Sequence, residues 1–152
     1  MKQFIFLLLI ASITISLHAQ DRTPRKVKKA FEAQYPEAKD ATWSSTGERA
    51  KEMEYRAEYT LQGGEQASNY DYKGNWLITI IFIEIDELPD AVTKEIDEEY
   101  MNARLLRAAR LEEPELSSYG VALEYLDNRM EIQYREDGRM IRRRLRSEGF
   151  GL

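Results

Sequence analysis

Glu52, Glu54 and Glu58 are the side chains of this sequence best placed for acid–base chemistry. On an extended strand, residues two apart share a face, so the three carboxylates would lie within reach of one another. A glycosidase-like pair needs more than proximity. One carboxyl must be held protonated by burial or by a like-charged neighbour, inside a pocket of convergent donors. The segment around them shows neither the burial nor the donors, so no catalysis is expected from these residues. The remaining inventory is narrower still. The only histidine is His18, and there is no cysteine anywhere in the chain. Thiol nucleophiles, disulfides and soft-metal sites built on cysteine are excluded. The acidic run Asp86–Asp90 lacks the spaced oxygen ligands and central glycine of a calcium loop. No cofactor and no metal is expected, and the chain reads as a non-enzyme.

His18 itself belongs to a separate segment. Residues 1–19 carry Lys2, an apolar run from Phe4 to Ile15, and Leu17-His18-Ala19 before Gln20. That is the pattern of a secretory signal peptide, too short for a transmembrane span. A periplasmic or extracellular location without stable membrane insertion is therefore expected. The roughly 133 residues that follow suffice for one hydrophobic core. Setting Lys2 aside from the 22 basic residues leaves 21 against 27 acidic ones, a net charge of −6. That balance does not favour nucleic acid or an anionic membrane as partner.

The elements that must position any site follow from periodicity. Val27, Ala30, Phe31 and Tyr35 form the apolar stripe of a first helix, opened by Thr23 as N-cap and Pro24 and ended by Pro36. A short strand at Ala41–Ser45 carries Trp43. Over Glu52–Gln62, Met53, Tyr55, Ala57, Tyr59 and Leu61 alternate with Glu52, Glu54, Arg56, Glu58 and Thr60, as in a half-buried antiparallel strand. Gly63-Gly64 turns this into Gln66–Tyr72. The turn Lys73-Gly74-Asn75 leads on into Trp76–Ile83, a strand apolar on both faces and therefore central. Simple alternation groups Trp76 with Ile78, Ile80 and Phe82.

Pro89 opens a second helix with Val92, Ile96 and Tyr100 on its buried side. By propensity, Arg104-Leu105-Leu106-Arg107-Ala108-Ala109-Arg110 would prolong that helix. Its place in the order of elements matches the Trp43 segment, and Ala103–Leu111 is read as strand. A loop at Glu113–Ser118 follows, then strands Tyr119–Leu126, Arg129–Arg135 and Arg139–Arg146. Offsets of 64 and 65 residues relate the landmarks of the two halves. The expected fold is α+β, a tandem repeat of one helix plus a four-stranded antiparallel meander over 20–87 and 88–152, with the helices on one face of the sheet.

The same landmarks carry a resemblance. Val27, Ala30, Phe31, Tyr35-Pro36 and Ala38, then Trp43, Tyr55–Ala57–Tyr59, Tyr70-Asp71, Gly74-Asn75-Trp76, Thr79 and Leu88-Pro89 are similar to the PepSY-like family of exported bacterial proteins. That family's fold is compared with the beta-lactamase inhibitor protein. The second half departs from the pattern, with Met140 at the place of Trp76, Arg135-Glu136 at that of Tyr70-Asp71, and no tryptophan after Ala103. The resemblance implies a helix-plus-antiparallel-sheet fold without established enzymatic activity, and a sheet face that grips another protein.

Candidate contact residues are of two kinds. Trp43 and Trp76 are the aromatic anchors, since large aromatics dominate interface energetics. Glu54, Arg56 and Glu58, with Arg142 and Arg144 if strand parity brings them together, would form a charged platform. The leading reading is a module that binds a protein or peptide of the cell envelope, inhibitor-like or accessory. The alternatives are a small-ligand or ion carrier using the seam between the halves, and a self-assembling protein that pairs as a homodimer through its spare apolar strand face.

Overall fold

The computed structural model describes residues 22–47, 52–145 and 152. The leader read over residues 1–19 and the end of the strand at Arg146 lie outside them. Helix α1 spans Arg25–Gln34 and is followed by strands β1 (Lys39–Thr46), β2 (Glu54–Leu61), β3 (Gly64–Asp71) and β4 (Trp76–Ile83). A single 3-10 turn at Ile85–Glu87 leads into α2 (Asp90–Glu99), and then come β5 (Arg104–Glu113), β6 (Leu116–Tyr125), β7 (Asn128–Tyr134) and β8 (Met140–Leu145).

All eight strands join one antiparallel sheet in the order β1-β2-β3-β4-β5-β6-β7-β8. This corrects the expected tandem repeat of a helix and a four-stranded meander. Instead of two meanders there is one continuous ladder, with β4 paired to β5 from Thr79↔Glu112 to Ile83↔Ala108. The physical reason lies in β4. A strand apolar on both faces that ended a sheet would leave a row of backbone donors and acceptors unpaired beside exposed isoleucines. Pairing with β5 removes that edge. It also explains why Arg104–Glu113 is extended despite its helical composition, because tertiary pairing overrides a weak propensity. The loop expected over Glu113–Ser118 shrinks to Pro114-Glu115, since both flanking strands extend to meet it.

Each helix is held by its apolar stripe. Val27 and Phe31 of α1 are buried with Tyr55, Ala57, Tyr59 and Tyr70. Val92 and Ile96 of α2 are buried with Val121, Leu123, Ile132 and Tyr134. Burying a side chain of this size stabilises the fold by about 1.5–3 kcal/mol. Both helices lie on the same face of the sheet, since ladder partners share a face and these residues are linked through β2–β7 by register. Each begins one residue later than Pro at the first helical position would give. Pro24 and Pro89 take extended ψ angles of 143° and 140°, and their carbonyls accept from the N–H groups of Val27 and Val92.

The hairpin turns brace the helices. Gly74 adopts φ +89°, and a Cβ there would stand 3.1 Å from the Lys26 carbonyl oxygen. At Gly138, φ is +85° and the Ala91 carbonyl oxygen would be only 2.5 Å from a Cβ. The β3–β4 and β7–β8 turns therefore touch the first turns of α1 and α2 backbone to backbone. Asp71 ties the first turn by accepting hydrogen bonds from the N–H groups of Lys73 and Asn75 and from the Asn75 amide.

A candidate interaction surface on the open sheet face

The face opposite the helices follows from the register. In β2, Tyr55, Ala57 and Tyr59 point under α1, so Glu54, Arg56, Glu58 and Thr60 point away. The ladders carry that side across β3 to β8 through Ala67, Ile80, Leu111, Ser118, Gln133 and Arg142. The predicted platform residues Glu54, Arg56, Glu58, Arg142 and Arg144 thus share one face. They do not form one cluster, because strands β3 to β7 separate the β2 group from the β8 pair.

The two tryptophans lie elsewhere. Trp43 is half-buried on β1, edge-on to Phe31 with ring centroids 5.4 Å apart, on the helix side. Trp76 is also half-buried and also on the helix side. A register shift opposite Asn69/Tyr70 makes Leu77 an extra residue in β4, and so Trp76 is turned away from Ile78 and Ile80. Its indole Nε1 donates to Thr79 Oγ1 at 2.9 Å. Strand alternation alone had grouped it with the opposite set.

At the β2 end, Arg56 Nε donates to Glu58 Oε1 at 2.9 Å, and the Arg56 side chain keeps only 15% of its surface exposed. Beside it the Arg107 guanidinium lies over the Phe82 ring, 3.5 Å from its centroid, and reaches Glu65 at 3.1 Å. Such a stacked cation remains able to donate hydrogen bonds from its edge. An open hollow of about 290 Å³ is bounded by these side chains together with Asp40.

At the β8 end the polar groups are closed on one another. Gln133, fully buried, donates through Nε2 to Glu113 at 2.8 Å and Ser118 at 2.6 Å, and its Oε1 accepts from Arg142 Nε at 2.5 Å. Arg142 Nη2 also reaches Glu113 at 3.1 Å. Arg144 stands opposite Glu131 in the ladder, exposed at the rim.

Between these ends the face is apolar. Ala67, Ile80, Ala109, Leu111 and Ala122 are buried, and Ile78, Phe82 and Leu106 pack against them while staying partly exposed. Leu152 sits on this strip. A Cβ at Gly120 would meet Leu152 Cδ1 at 2.9 Å and Leu111 Cδ1 at 3.0 Å, so the missing side chain of Gly120 is what admits the leucine. The Leu152 N–H donates to Glu131 Oε1 at 3.1 Å. Sequence reasoning passed over Gly120, Phe82–Arg107 and Gln133. Gly120 did leave a signal, because a glycine inside a strand pattern often marks a close approach of other groups. No group of three metal-ligating side chains occurs among the described residues.

Residues 53–142 match the family model described as "Putative beta-lactamase-inhibitor-like, PepSY-like". Solved structures share the fold. A BLIP-like protein from Bacteroides fragilis has 23% identity and a TM-score of 0.67, over 85% of this chain and 90% of its own. A DUF2874 family protein from Bacteroides ovatus has 20% identity and a TM-score of 0.70, over 86% and 93%. A structure from Bacteroides eggerthii described under "putative periplasmic proteins" has 18% identity and a TM-score of 0.69, over 85% and 93%. No curated protein matches the chain.

Proposed function

The chain belongs to the PepSY-like, beta-lactamase-inhibitor-like family, and from that premise we propose that it is an exported, non-enzymatic module that grips another protein through its open sheet face. One observation carries the reading. Both helices cover one face, while the other keeps Ile78, Phe82 and Leu106 partly exposed between two charged ends. An apolar strip rimmed by charge is the composition of a protein-binding patch, with the strip supplying affinity and the charges steering the encounter. Arg107 on Phe82 is the anchor we assign to it, and Arg56 and Glu58 are the adjoining rim. Trp43 and Trp76 contribute by stiffening the sheet under α1. The periplasmic location proposed for the chain agrees with the leader pattern of residues 1–19 and with the description of the B. eggerthii relative.

The carrier alternative is less well supported. Along the middle of the β4–β5 ladder Ile80, Ala109 and Leu111 are fully buried, and the hollow of about 440 Å³ at its end, between Phe82–Ile83 and Leu106–Ala108, is open to solvent instead of enclosed.

A photo-cross-linking amino acid placed at Glu58 in cells should give one discrete protein adduct, and the same group at Lys94 on α2 should not. Addition of Arg107→Glu should abolish the Glu58 adduct. No adduct from the open face, or the same adduct from both faces, would refute the reading.

A further inference from the structure

We propose that the depression at Gly120 is a peptide-binding subsite for a leucine-sized aliphatic side chain, and that Leu152 of the same chain occupies it as a displaceable plug. The geometry is that of ligand and site. The Leu152 side chain lies over a strand glycine, against Leu111, where a Cβ on that glycine would be in collision at 2.9 Å. Its backbone is recognised as well. The N–H donates to Glu131, a carboxylate only 4% exposed, and the carbonyl lies 3.5 Å from Arg129 Nη2. A buried carboxylate receiving a backbone N–H at the mouth of an apolar hole favours an extended peptide over a free hydrocarbon, because only the peptide brings a donor to it.

The leucine reaches this place from far along the chain. It is 21 residues from Glu131 and joins a cluster with Ala67, Ile80, Ala109, Leu111 and Ala122. A residue so placed competes with any partner that presents an aliphatic side chain to the same hole. A site filled by its own chain most of the time shows an apparent affinity lowered by the fraction left open. The plug is inferred from the contacts of Leu152 alone. Its regulatory role rests on the open-face binding reading, and a partner segment that enters the hole must first expel Leu152.

The test uses the full chain and a synthetic, fluorescently labelled heptapeptide with the sequence of residues 146–152. Leu152→Ala should bind this peptide about tenfold more tightly than the unaltered chain does. Replacing the peptide's terminal leucine with alanine should remove the binding. Gly120→Ala combined with Leu152→Ala should weaken it relative to Leu152→Ala alone. Circular dichroism and thermal melting verify that each variant is folded. In the unaltered chain, methyl contacts between Leu152 and Leu111 should be seen by nuclear Overhauser effects, which needs no variant. Equal binding by both chains, no binding by Leu152→Ala, or absent methyl contacts would overturn the plug. Methyl contacts seen only between differently labelled copies would overturn it too, by placing the leucine in a second molecule. None of these measurements involves a partner protein. Failure here leaves the binding-module reading standing, and a missing cross-link adduct leaves the plug standing.

Discussion

Thr79 Oγ1 accepts the indole N–H of Trp76 at 2.9 Å, three residues back along the same strand. The same oxygen lies 2.5 Å from Tyr35 Oη and 2.9 Å from Ser68 Oγ, and Ser68 in turn shares a hydrogen bond with Tyr59 Oη. A hydroxyl has one proton and two lone pairs, so with Trp76 donating, Thr79 must donate to one neighbour and accept from the other. The hub thereby joins the C-cap of α1 to β2, β3 and β4 through one connected chain of hydroxyls.

Thr79→Val should break this hub while keeping its volume. Trp76, Tyr35 and Ser68 would each lose a partner in a site where Thr79 and Ser68 are nearly inaccessible to water. Each unsatisfied buried polar group costs about 1–3 kcal/mol, so a loss of about 2 kcal/mol or more is expected. Urea denaturation should show it as a lower midpoint at unchanged slope. A change under about 0.5 kcal/mol would mean that the hub does not bear on stability.

The second aromatic cluster should behave in the opposite sense. Tyr134 is fully buried and its hydroxyl has no hydrogen-bond partner among the described residues. Tyr134→Phe removes that group at almost constant shape. It should leave stability unchanged or raise it by about 1 kcal/mol, whereas Tyr59→Phe should lower it by about 1 kcal/mol through loss of the Ser68 bond. Measuring both variants under one set of denaturant conditions makes the comparison direct.

The two clusters show what the sequence could and could not convey. Val27 and Phe31, or Val92 and Ile96, are legible because helical spacing repeats at short range. The alternation of Tyr55, Ala57 and Tyr59 is equally local, and so is the assignment of Glu54, Arg56 and Glu58 to the other face. Trp76 faces the helices, against simple alternation, because one extra residue, Leu77, inverts the parity of β4, and nothing in its composition marks it as extra. Similar shifts occur between Leu105 and Arg107 and between Gln133 and Tyr134. The turn before β7 is Leu126-Asp127, one residue earlier than the gap left between the expected strands Tyr119–Leu126 and Arg129–Arg135. Leu126 and Asp127 take φ of 49° and 61°, a conformation to which leucine is not suited. The single sheet and the seat of Leu152 depend on contacts distant in sequence, which periodicity does not encode.

Alkaline pH should unfold the protein cooperatively. Burial raises the pKa values of the Tyr59, Tyr70 and Tyr134 hydroxyls well above that of free tyrosine. Close phenols add to the effect, Tyr35 beside Tyr59 and Tyr70 and Tyr100 beside Tyr134. With folded values above the unfolded one, the folded state holds these protons more tightly. The contribution is therefore intact below about pH 10 and is lost as pH rises beyond it. Tyrosinate absorbance followed with circular dichroism should show these phenols ionising together with loss of the sheet. Ionisation while the sheet remains intact would contradict the burial.

The turn glycines should differ in their tolerance of alanine. Both hold positive φ, but the clash with a helix carbonyl is at 2.5 Å for Gly138 and 3.1 Å for Gly74. Alanine is strained at that φ in either turn, and at Gly138 backbone must also move against backbone. We expect Gly138→Ala to cost about 3 kcal/mol and Gly74→Ala about 1–2 kcal/mol in chemical denaturation. Equal losses would mean that the contact with α2 is not what restricts Gly138.

Gln133 offers a sharper test of how the open face is held, because its amide has all three of its neighbours specified. Its two protons go to Glu113 and Ser118 and its oxygen receives Arg142. Flipping the amide would set a carbonyl against a carboxylate and an N–H against a guanidinium, so only one orientation is compatible with the charges. Gln133→Glu keeps the size and replaces the donor with an acceptor. The new carboxylate would face Glu113 beside one Arg142, and like charges in a buried site repel strongly. The variant should lose about 2 kcal/mol or more at neutral pH and recover part of that on acidification, as the excess carboxyl takes up a proton. Gln133→Met removes donor and acceptor together and should cost a similar amount with no recovery at low pH relative to the parent chain. A denaturation series at three pH values distinguishes the two. If Gln133→Glu shows the pH trend of the parent, the amide is not a directional link between Glu113 and Arg142, and the β8 end of the face is held by packing alone.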